Sequence, residues 1–178
     1  MRADALRNRE RIFDAARDQM RKNGAEAGMD QIAVAAGVAV GTLYRHFPTK
    51  GDLVRAVMTE FIQELVDRGE SAAASVAPAE AFGLIVETLR SFIEGAAENQ
   101  ALKQAGNTFE GPYVADELID RGRVAMRILV TAAIEAGDLR PDVTADDIFL
   151  LMTTAPTSAA DLQRERWLDI VTAGLRRA

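Results

Sequence analysis

The sequence has no cysteine and a single histidine, His46, among its 178 residues. The lack of cysteine excludes disulfides, thiolate nucleophiles and cysteine-ligated metal sites. No apolar run approaches the roughly 18 residues that cross a bilayer, because the stretch from Ile128 to Ile134 is followed at once by Glu135. The charged N-terminus also lacks the apolar segment of a secretory signal. We therefore expect no metal or cofactor, no membrane span and a cytoplasmic location.

Alternating apolar and polar residues, the mark of a half-buried strand, are also missing over any useful length. Apolar residues instead recur with the period of a helix, and alanine is abundant. The sequence therefore predicts an all-α protein. Glycines, prolines and capping boxes delimit the helices. The expected helices cover 7–23, 29–36, 40–47, a segment from Thr49, a segment from Pro78, 114–136, a segment from Thr144 and 161–176, with a short segment near 100–105 and a connector at 71–77.

Charge is distributed unevenly along the chain. Residues 1–50 carry nine Lys and Arg against six Asp and Glu, whereas residues 51–178 carry twelve against twenty-one. The net charge of −6 therefore combines a basic N-terminal part with an acidic remainder. This asymmetry indicates a module that faces a polyanion on a body that repels it. We expect two domains, at 5–65 and 66–178.

Residues 29–48 have the layout of a helix-turn-helix. Ala33 is small where two helices would cross, Gly37 suits the tight turn, Leu43 points inward and Phe47 closes the end. Because such short helices are unstable alone, the helices before and after them must provide packing. The other positions of the expected helix 40–47, together with Lys50, are predicted to be exposed. They offer hydrogen-bond donors and aromatic side chains that suit contact with DNA. This set is Val40, Gly41, Thr42, Tyr44, Arg45 and His46.

A characteristic set of residues occurs around this layout: Gly24, Ile32-Ala33, Ala36-Gly37-Val38 and Gly41-Thr42-Leu43-Tyr44-Arg45-His46-Phe47-Pro48-Thr49-Lys50. Over roughly residues 7–62 the chain closely resembles the head of TetR/AcrR-type regulators. The remainder resembles the helical ligand and dimer domain of that family through its helix count, its length and the turn at 138–142. The resemblance implies a three-helix DNA-binding head followed by a helical domain for effector binding and dimerisation.

The resemblance also implies roles for single residues. Tyr44 and Lys50 match positions that hold DNA phosphates, and the other five exposed residues match the groove-facing helix. The chemistry agrees, because Lys50 lies in a first helical turn where free backbone amides also favour phosphate. The fork of Arg45 can take O6 and N7 of guanine, which is worth about 1–3 kcal/mol of discrimination. Structural alternatives remain open: Tyr44 or His46 packed at the helix end, Arg45 touching only phosphate or solvent, and Lys50 an unengaged surface lysine.

Three positions depart from the family pattern. Gly28 and Ala39 stand where Ser or Thr usually cap the two helices, and alanine at a cap costs roughly 0.5–2 kcal/mol. Asp30 lies where a basic or polar DNA contact is common, and its carboxylate repels phosphate. Asp30 therefore disfavours a DNA contact through the expected helix 29–36. The N-terminal arginines at 2, 7, 9 and 11 are candidates for a compensating arm in the minor groove.

The second domain is predicted to hold a small-molecule pocket, as the resemblance implies and as is common between the helices of a bundle. Its effector is expected to be largely apolar. Each candidate, taken singly, also fits an ordinary core position. The candidate lining residues are Phe82, Ile85, Leu89, Phe92, Phe109, Tyr113, Met126 and Met152, with Asn107, Thr108, Tyr113 and Arg123 as polar anchors.

The last two predicted helices have more apolar surface than the end of a small domain readily covers. We expect them to form a homodimer interface, which would pair two heads on one DNA face and imply a partly palindromic operator. The interface residues expected are Ile148, Leu151, Trp167, Ile170 and Val171.

The sequence thus favours a DNA-binding transcriptional regulator, most simply a ligand-responsive repressor that acts as a homodimer. A helical enzyme is the second hypothesis, but none of the usual nucleophile, phosphate-loop or zinc-protease patterns occurs. The third is a dimeric scaffold that binds a small molecule or a partner and has weakened DNA binding, as Gly28, Asp30 and Ala39 suggest. Salt dependence separates a DNA reader from a scaffold.

Overall fold

The computed structural model describes residues 2–100 and 115–177, which form eight α-helices. Within these ranges the only β pairing is one bridge between Leu139 and Arg176, so the all-α prediction is confirmed. No helix in the same ranges has both the length and the apolar character of a bilayer span. The helices are α1 (Arg2–Asn23), α2 (Met29–Ala36), α3 (Val40–His46), α4 (Lys50–Ser75), α5 (Pro78–Glu98), α6 (Asp116–Ala136), α7 (Ala145–Thr154) and α8 (Asp161–Leu175).

Two helices are longer than the sequence predicts. α1 begins at Arg2 instead of residue 7, and α4 continues to Ser75. The predicted connector at 71–77 therefore shrinks to two residues. Alanine is the strongest helix former, and Ala72 and Ala73 pack against the neighbouring core. Packing against the core thus stabilises the helix over residues 71–75, although the composition of this segment resembles that of a linker.

Both predicted capping boxes are present. At the start of α4, Asp52 N donates to Thr49 Oγ1 at 3.1 Å, and Thr49 N donates to Asp52 Oδ2 at 3.1 Å. At the start of α7, Thr144 N donates to Asp147 Oδ2 at 2.8 Å, and the Thr144 hydroxyl donates to the same oxygen. These hydrogen bonds lower the pKa of Asp147. Each box satisfies amides that the first turn of a helix leaves unpaired.

The described chain divides into two compact units. The first unit contains the residues up to Glu60 with 98–100, and the second contains 61–97 and 115–177. The core of the first unit includes Ile12, Phe13, Ala16 and Met20 of α1, and Phe13 is fully buried. The second core is a larger cluster that α5, α6, α7 and α8 build around Ile85, Leu129 and Ile148.

Alanine substitutions at two glycines of α5 are expected to change the free energy of unfolding in opposite directions. At Gly95 a Cβ would lie 2.5 Å from Cζ and 3.0 Å from Cδ2 of Phe61. The Phe61 ring is buried and lies beside Phe92 at 6.3 Å between centroids, so it has little room to move. Gly95→Ala is therefore expected to lower the free energy of unfolding by about 1–3 kcal/mol through overpacking.

Gly83 is the matched control because it lies in the same helix and a Cβ there would meet nothing within 4 Å. Gly83→Ala is expected to raise the free energy of unfolding by about 0.5–1 kcal/mol, since alanine loses less backbone entropy in a helix. Urea titrations of the full chain, followed by circular dichroism, measure both changes. If Gly95→Ala is as stable as Gly83→Ala, the close packing of Phe61 on α5 is wrong.

Candidate nucleic-acid interface

The turn between α2 and α3 is built on Gly37. This residue has φ of +63°, in the left-handed region that glycine adopts without steric cost. Gly37 N donates to Val34 O at 3.0 Å and Val38 N donates to Ala33 O at 3.0 Å, which closes the end of α2. Ala33 is fully buried. The sequence prediction of a helix-turn-helix at this place is confirmed.

Arg11 of α1 fixes the turn from outside. Its Nη2 donates to Gly37 O at 3.0 Å, and a Cβ at position 37 would overlap the same guanidinium. The positive φ therefore favours glycine at 37, and any side chain there would also displace the Arg11 guanidinium. No pattern in the sequence indicated this role for Arg11, because the contact joins residues 26 positions apart.

The described residues do not form the extended N-terminal arm for which four arginines were candidates. The arginines proposed for it lie within α1, so they do not form an extended segment. Arg11 is occupied at the turn, and Arg9 lies 3.7 Å from Glu60 and places its guanidinium 4.9 Å from the Phe13 ring. The propagation of α1 back to Arg2 accounts for the difference.

α3 presents two different sides. Leu43 is buried beneath it, and Phe47, the residue after its end, is buried with its ring 5.8 Å from that of Phe13. At about 100° per residue, the side opposite these two carries Gly41, Thr42 and Arg45. A Cβ on Gly41 would meet nothing within 4 Å, so a partner can approach the backbone there. This side has the shape and the donors that a DNA groove requires.

The remaining residues predicted for α3 lie on the borders of that side. Tyr44 and His46 are exposed and lie on opposite flanks, and Val40 is exposed at the start of the helix. The His46 ring is 6.2 Å from that of Phe47, so packing at the helix end accounts for part of its position. The structure thus brings the six predicted residues of α3 to its exposed surface, with Thr42 half-buried.

Lys50 is half-buried at the first turn of α4. Partial burial lowers the pKa of Lys50, while the negative charge of Glu26 acts in the opposite direction. A lysine at a helix N-terminus also opposes the helix dipole. A negative charge near the Lys50 ammonium counteracts both effects, and Glu26 already supplies one.

The start of α2 presents no cationic side chain, among Gly28, Asp30 and Gln31, that would attract a DNA phosphate. Gly28 has no side chain to cap the helix, and the Gln31 side chain supplies only the reverse contact by accepting from Gly28 N at 3.1 Å. Ala39 provides no side-chain cap for α3. Asp30 is exposed in the first turn of α2, where its charge suits the helix dipole and repels phosphate.

The second unit contains an apolar cavity of about 130 Å³. Of the predicted lining residues, Phe92, Met126 and Met152 line it. Three others, Phe82, Ile85 and Leu89, are buried in the core and are not part of the lining, because they face the packed side of α5. Phe109 and Tyr113, and with them Asn107 and Thr108, lie outside the described residues. The sequence analysis missed the wall that α4 contributes through Ile62, Leu65, Val66 and Gly69.

Arg123, the remaining predicted anchor, is not among the lining residues. Its guanidinium pairs with Asp146 and lies 4.9 Å from the Phe149 ring.

The residues predicted for a dimer interface differ in exposure. Ile148 is fully buried in the core of its own unit, so its assignment to an interface is wrong. Leu151, Trp167 and Val171 are partly buried against that core, and Ile170 is exposed. Leu150 and Leu162, which the prediction omitted, are 60% and 82% exposed.

Two family models match the chain. Residues 12–57 match the model for bacterial regulatory proteins of the tetR family. Residues 77–177 match the C-terminal domain model of SbtR-like transcriptional regulators. The first match covers the helix-turn-helix, and the second covers the α5, α6 and α7 walls of the cavity but not its α4 wall.

Similar proteins are also known. The chain is 32% identical to a TetR transcription regulatory protein of Mycobacterium vanbaalenii, with 98% of each chain covered and a TM-score of 0.75. It is 31% identical to a TetR transcriptional regulator of Streptomyces coelicolor, with 96% and 99% covered and a TM-score of 0.72. An uncharacterized HTH-type transcriptional regulator of Mycobacterium tuberculosis is 35% identical over 92 residues. That match covers 52% of this chain and 39% of the relative, so the chain spans well under half the length of this curated relative.

Proposed function

The chain belongs to the TetR family of bacterial regulatory proteins, and we propose that it is a homodimeric, ligand-responsive repressor that reads a partly palindromic operator. The relatives that it matches are transcriptional regulators and not enzymes. The observation that carries the proposal is the side of α3 with Gly41, Thr42 and Arg45, which is free of the core and is held in place by the Gly37 turn. Because the chromosome is its partner, we propose a cytoplasmic location.

In the proposed complex, α3 enters the major groove of double-stranded DNA. Arg45 reads a guanine, and Thr42, Val40 and His46 contact the groove walls. Tyr44 and Lys50 hold the flanking phosphates. Phosphate at Lys50 explains a lysine in a position that both burial and the helix dipole disfavour.

Exposed apolar side chains on α8 support the homodimer. Leu162 and Ile170 remain exposed in the single chain, and the same side of α8 carries the exposed residues Arg166, Asp169 and Ala173. In a two-fold interface each surface meets its own copy, so Arg166 of one subunit can face Asp169 of the other. We therefore propose that α8, with Leu150 of α7, forms the dimer interface in place of the set centred on Ile148.

Response to a ligand is supported by the place of the cavity along α4. This helix begins at Lys50 in the first unit and lines the cavity with its later residues in the second. Arg121 of α6 holds the same part of α4 through Glu70, at 2.6 Å and 3.0 Å, and Asp67, at 3.0 Å. A ligand that fills the cavity presses on the helix that carries Lys50. To act as an inducer, it must bind the non-binding arrangement of the heads more tightly.

Selection of genomic fragments by the purified protein, followed by gel shifts on the recovered sites, tests this function. A DNA reader that neutralises several phosphates loses affinity steeply with salt, with a slope of about 0.9 in log affinity per phosphate. Recovery of palindromic sites with that dependence supports the proposal. Recovery of no enriched sequence would favour the scaffold alternative instead.

Two variants separate the proposed phosphate contacts. Lys50→Ala removes one cation from each head, so we expect the salt slope of the dimer to fall by about 2 and the affinity to fall about tenfold or more. Tyr44→Phe removes only a neutral hydroxyl, so we expect weaker binding at every salt concentration with an unchanged slope. Fluorescence anisotropy titrations from about 50 to 200 mM salt measure both. An unchanged slope in Lys50→Ala would contradict its phosphate contact.

A further inference from the structure

The cavity of the second unit has few polar groups in its wall. Its described wall comes from α4, α5, α6 and α7 and consists of aliphatic, aromatic, methionine, alanine and glycine residues, with only two exceptions. The exceptions are Thr88 and Thr153. No residue of this wall carries a charge at neutral pH. Any selectivity for polar ligands within the described wall must therefore come from two hydroxyl groups.

Both hydroxyls are already used as donors. The Thr88 hydroxyl donates to Leu84 O at 2.7 Å, and the Thr153 hydroxyl donates to Leu150 O at 3.0 Å. Each oxygen keeps a lone pair, so the wall can accept a hydrogen bond but its hydroxyls have no second proton to give. A carboxylate or phosphate placed here would lose its hydration without gaining a donor or a cation.

The size of the cavity limits the ligand further. Its volume is about 130 Å³. Apolar cavities of about 150 Å³ stay dry and bind benzene. The close approach of α4 and α6 sets this size, because a Cβ on Gly122 would lie 3.2 Å from Val66 Cγ2 and a Cβ on Gly69 would lie 3.8 Å from Ala125 Cβ.

We propose that this cavity binds small uncharged hydrocarbons or aromatic molecules of roughly six to eight non-hydrogen atoms, and that shape and burial, not ionic contacts, select them. The inference deepens the ligand-responsive function proposed above and rests on it for its regulatory meaning. Benzene, toluene and ethylbenzene are suitable probes. Benzoate is the charged counterpart of toluene, because a carboxylate replaces the methyl group on the same ring.

A neighbouring cavity provides a matched control. It has a volume of about 100 Å³, and its wall contains the charged or polar residues Arg68, Glu87 and Ser91, which the apolar cavity lacks. Ala125 lines only the apolar cavity, and Ala72 lines only the polar one. Ala125→Leu therefore fills the proposed site, and Ala72→Leu makes the same change next to it.

Binding to the free protein is measured by isothermal titration calorimetry or ligand-observed NMR, with no DNA present. We expect saturable binding of toluene, at least tenfold weaker binding to Ala125→Leu, and a change of less than twofold in Ala72→Leu. Benzoate is expected to bind at least tenfold more weakly than toluene. Should Ala125→Leu fail to fold, Met152→Ala provides the second test: the enlarged cavity is expected to gain affinity for naphthalene relative to benzene by about tenfold.

Several results would overturn the proposal: no saturable binding of any neutral probe, benzoate bound as tightly as toluene, or toluene affinity that Ala125→Leu and Met152→Ala leave unchanged. A gel shift with and without toluene keeps the two proposals apart. If toluene binds but does not change operator affinity, the cavity proposal stands and the ligand-responsive function is rejected. If toluene fails to bind while the protein still reads its operator, only the cavity proposal is lost.

Discussion

Arg45→Ala is expected to weaken operator binding by about two to four orders of magnitude while non-specific DNA is bound almost as well as before. A bidentate contact between arginine and guanine discriminates against other bases by about 1–3 kcal/mol, and a dimer makes the contact in each half-site. Arg45 is exposed on the side of α3 opposite Leu43, with no hydrogen bond or ion pair in the described structure that would hold it back.

Competition gel shifts with the operator and with a scrambled duplex measure the two affinities separately. Arg45→Lys is the control, because it keeps the positive charge and loses the planar fork. We expect this variant to hold non-specific DNA like the wild type and to discriminate nearly as poorly as the alanine variant. Equal losses on both duplexes would mean that Arg45 touches only phosphate, the alternative that the sequence left open.

The head could be predicted from sequence because its signals are local. Gly37, Leu43 and Phe47 lie within eleven positions of one another, and each one fixes a turn, an inward face or a helix end by its own chemistry. The contributions of Phe13 and Arg11 were missed for the opposite reason. Their contacts, to Phe47 and to the Gly37 carbonyl, cross the chain between separate helices and leave no periodic mark.

The cavity could be predicted only in part. Helical periodicity correctly placed Phe92 and Met126 on inward faces, but it cannot show where inward side chains fail to fill the space. That depends on small residues meeting between helices, such as Gly69 near Ala125. The contribution of α4 to the cavity wall therefore could not be predicted from the periodicity of single helices.

The error at Ile148 has a related cause. Residues 148–152 are five apolar residues in succession, so the apolar period cannot tell which side of α7 faces inward. In the structure Ile148 and Met152 are buried four residues apart, and Leu150 lies exposed between them. Packing within the chain selects the inward pair and leaves Leu150 exposed on the other side.

The exposed apolar residues of α8 lead to the strongest expected effect on assembly. A double variant with Leu162→Glu and Ile170→Glu is expected to raise the dimer dissociation constant by at least about three orders of magnitude. The two side chains are 82% and 58% exposed in the single chain, so glutamate should not disturb the fold. In a two-fold interface the change buries four unpaired charges, and one uncompensated buried charge costs about 3–5 kcal/mol.

Sedimentation velocity over a concentration series measures the dissociation constant, and circular dichroism checks that the helices remain. Val124→Glu with Ile128→Glu is the matched control, because both positions are exposed apolar residues on α6, at 52% and 45%. If the α6 pair dissociates the dimer and the α8 pair does not, the interface lies on α6. For the α8 pair we also expect weaker operator binding, since two untethered heads lose the gain in effective concentration that a dimer provides.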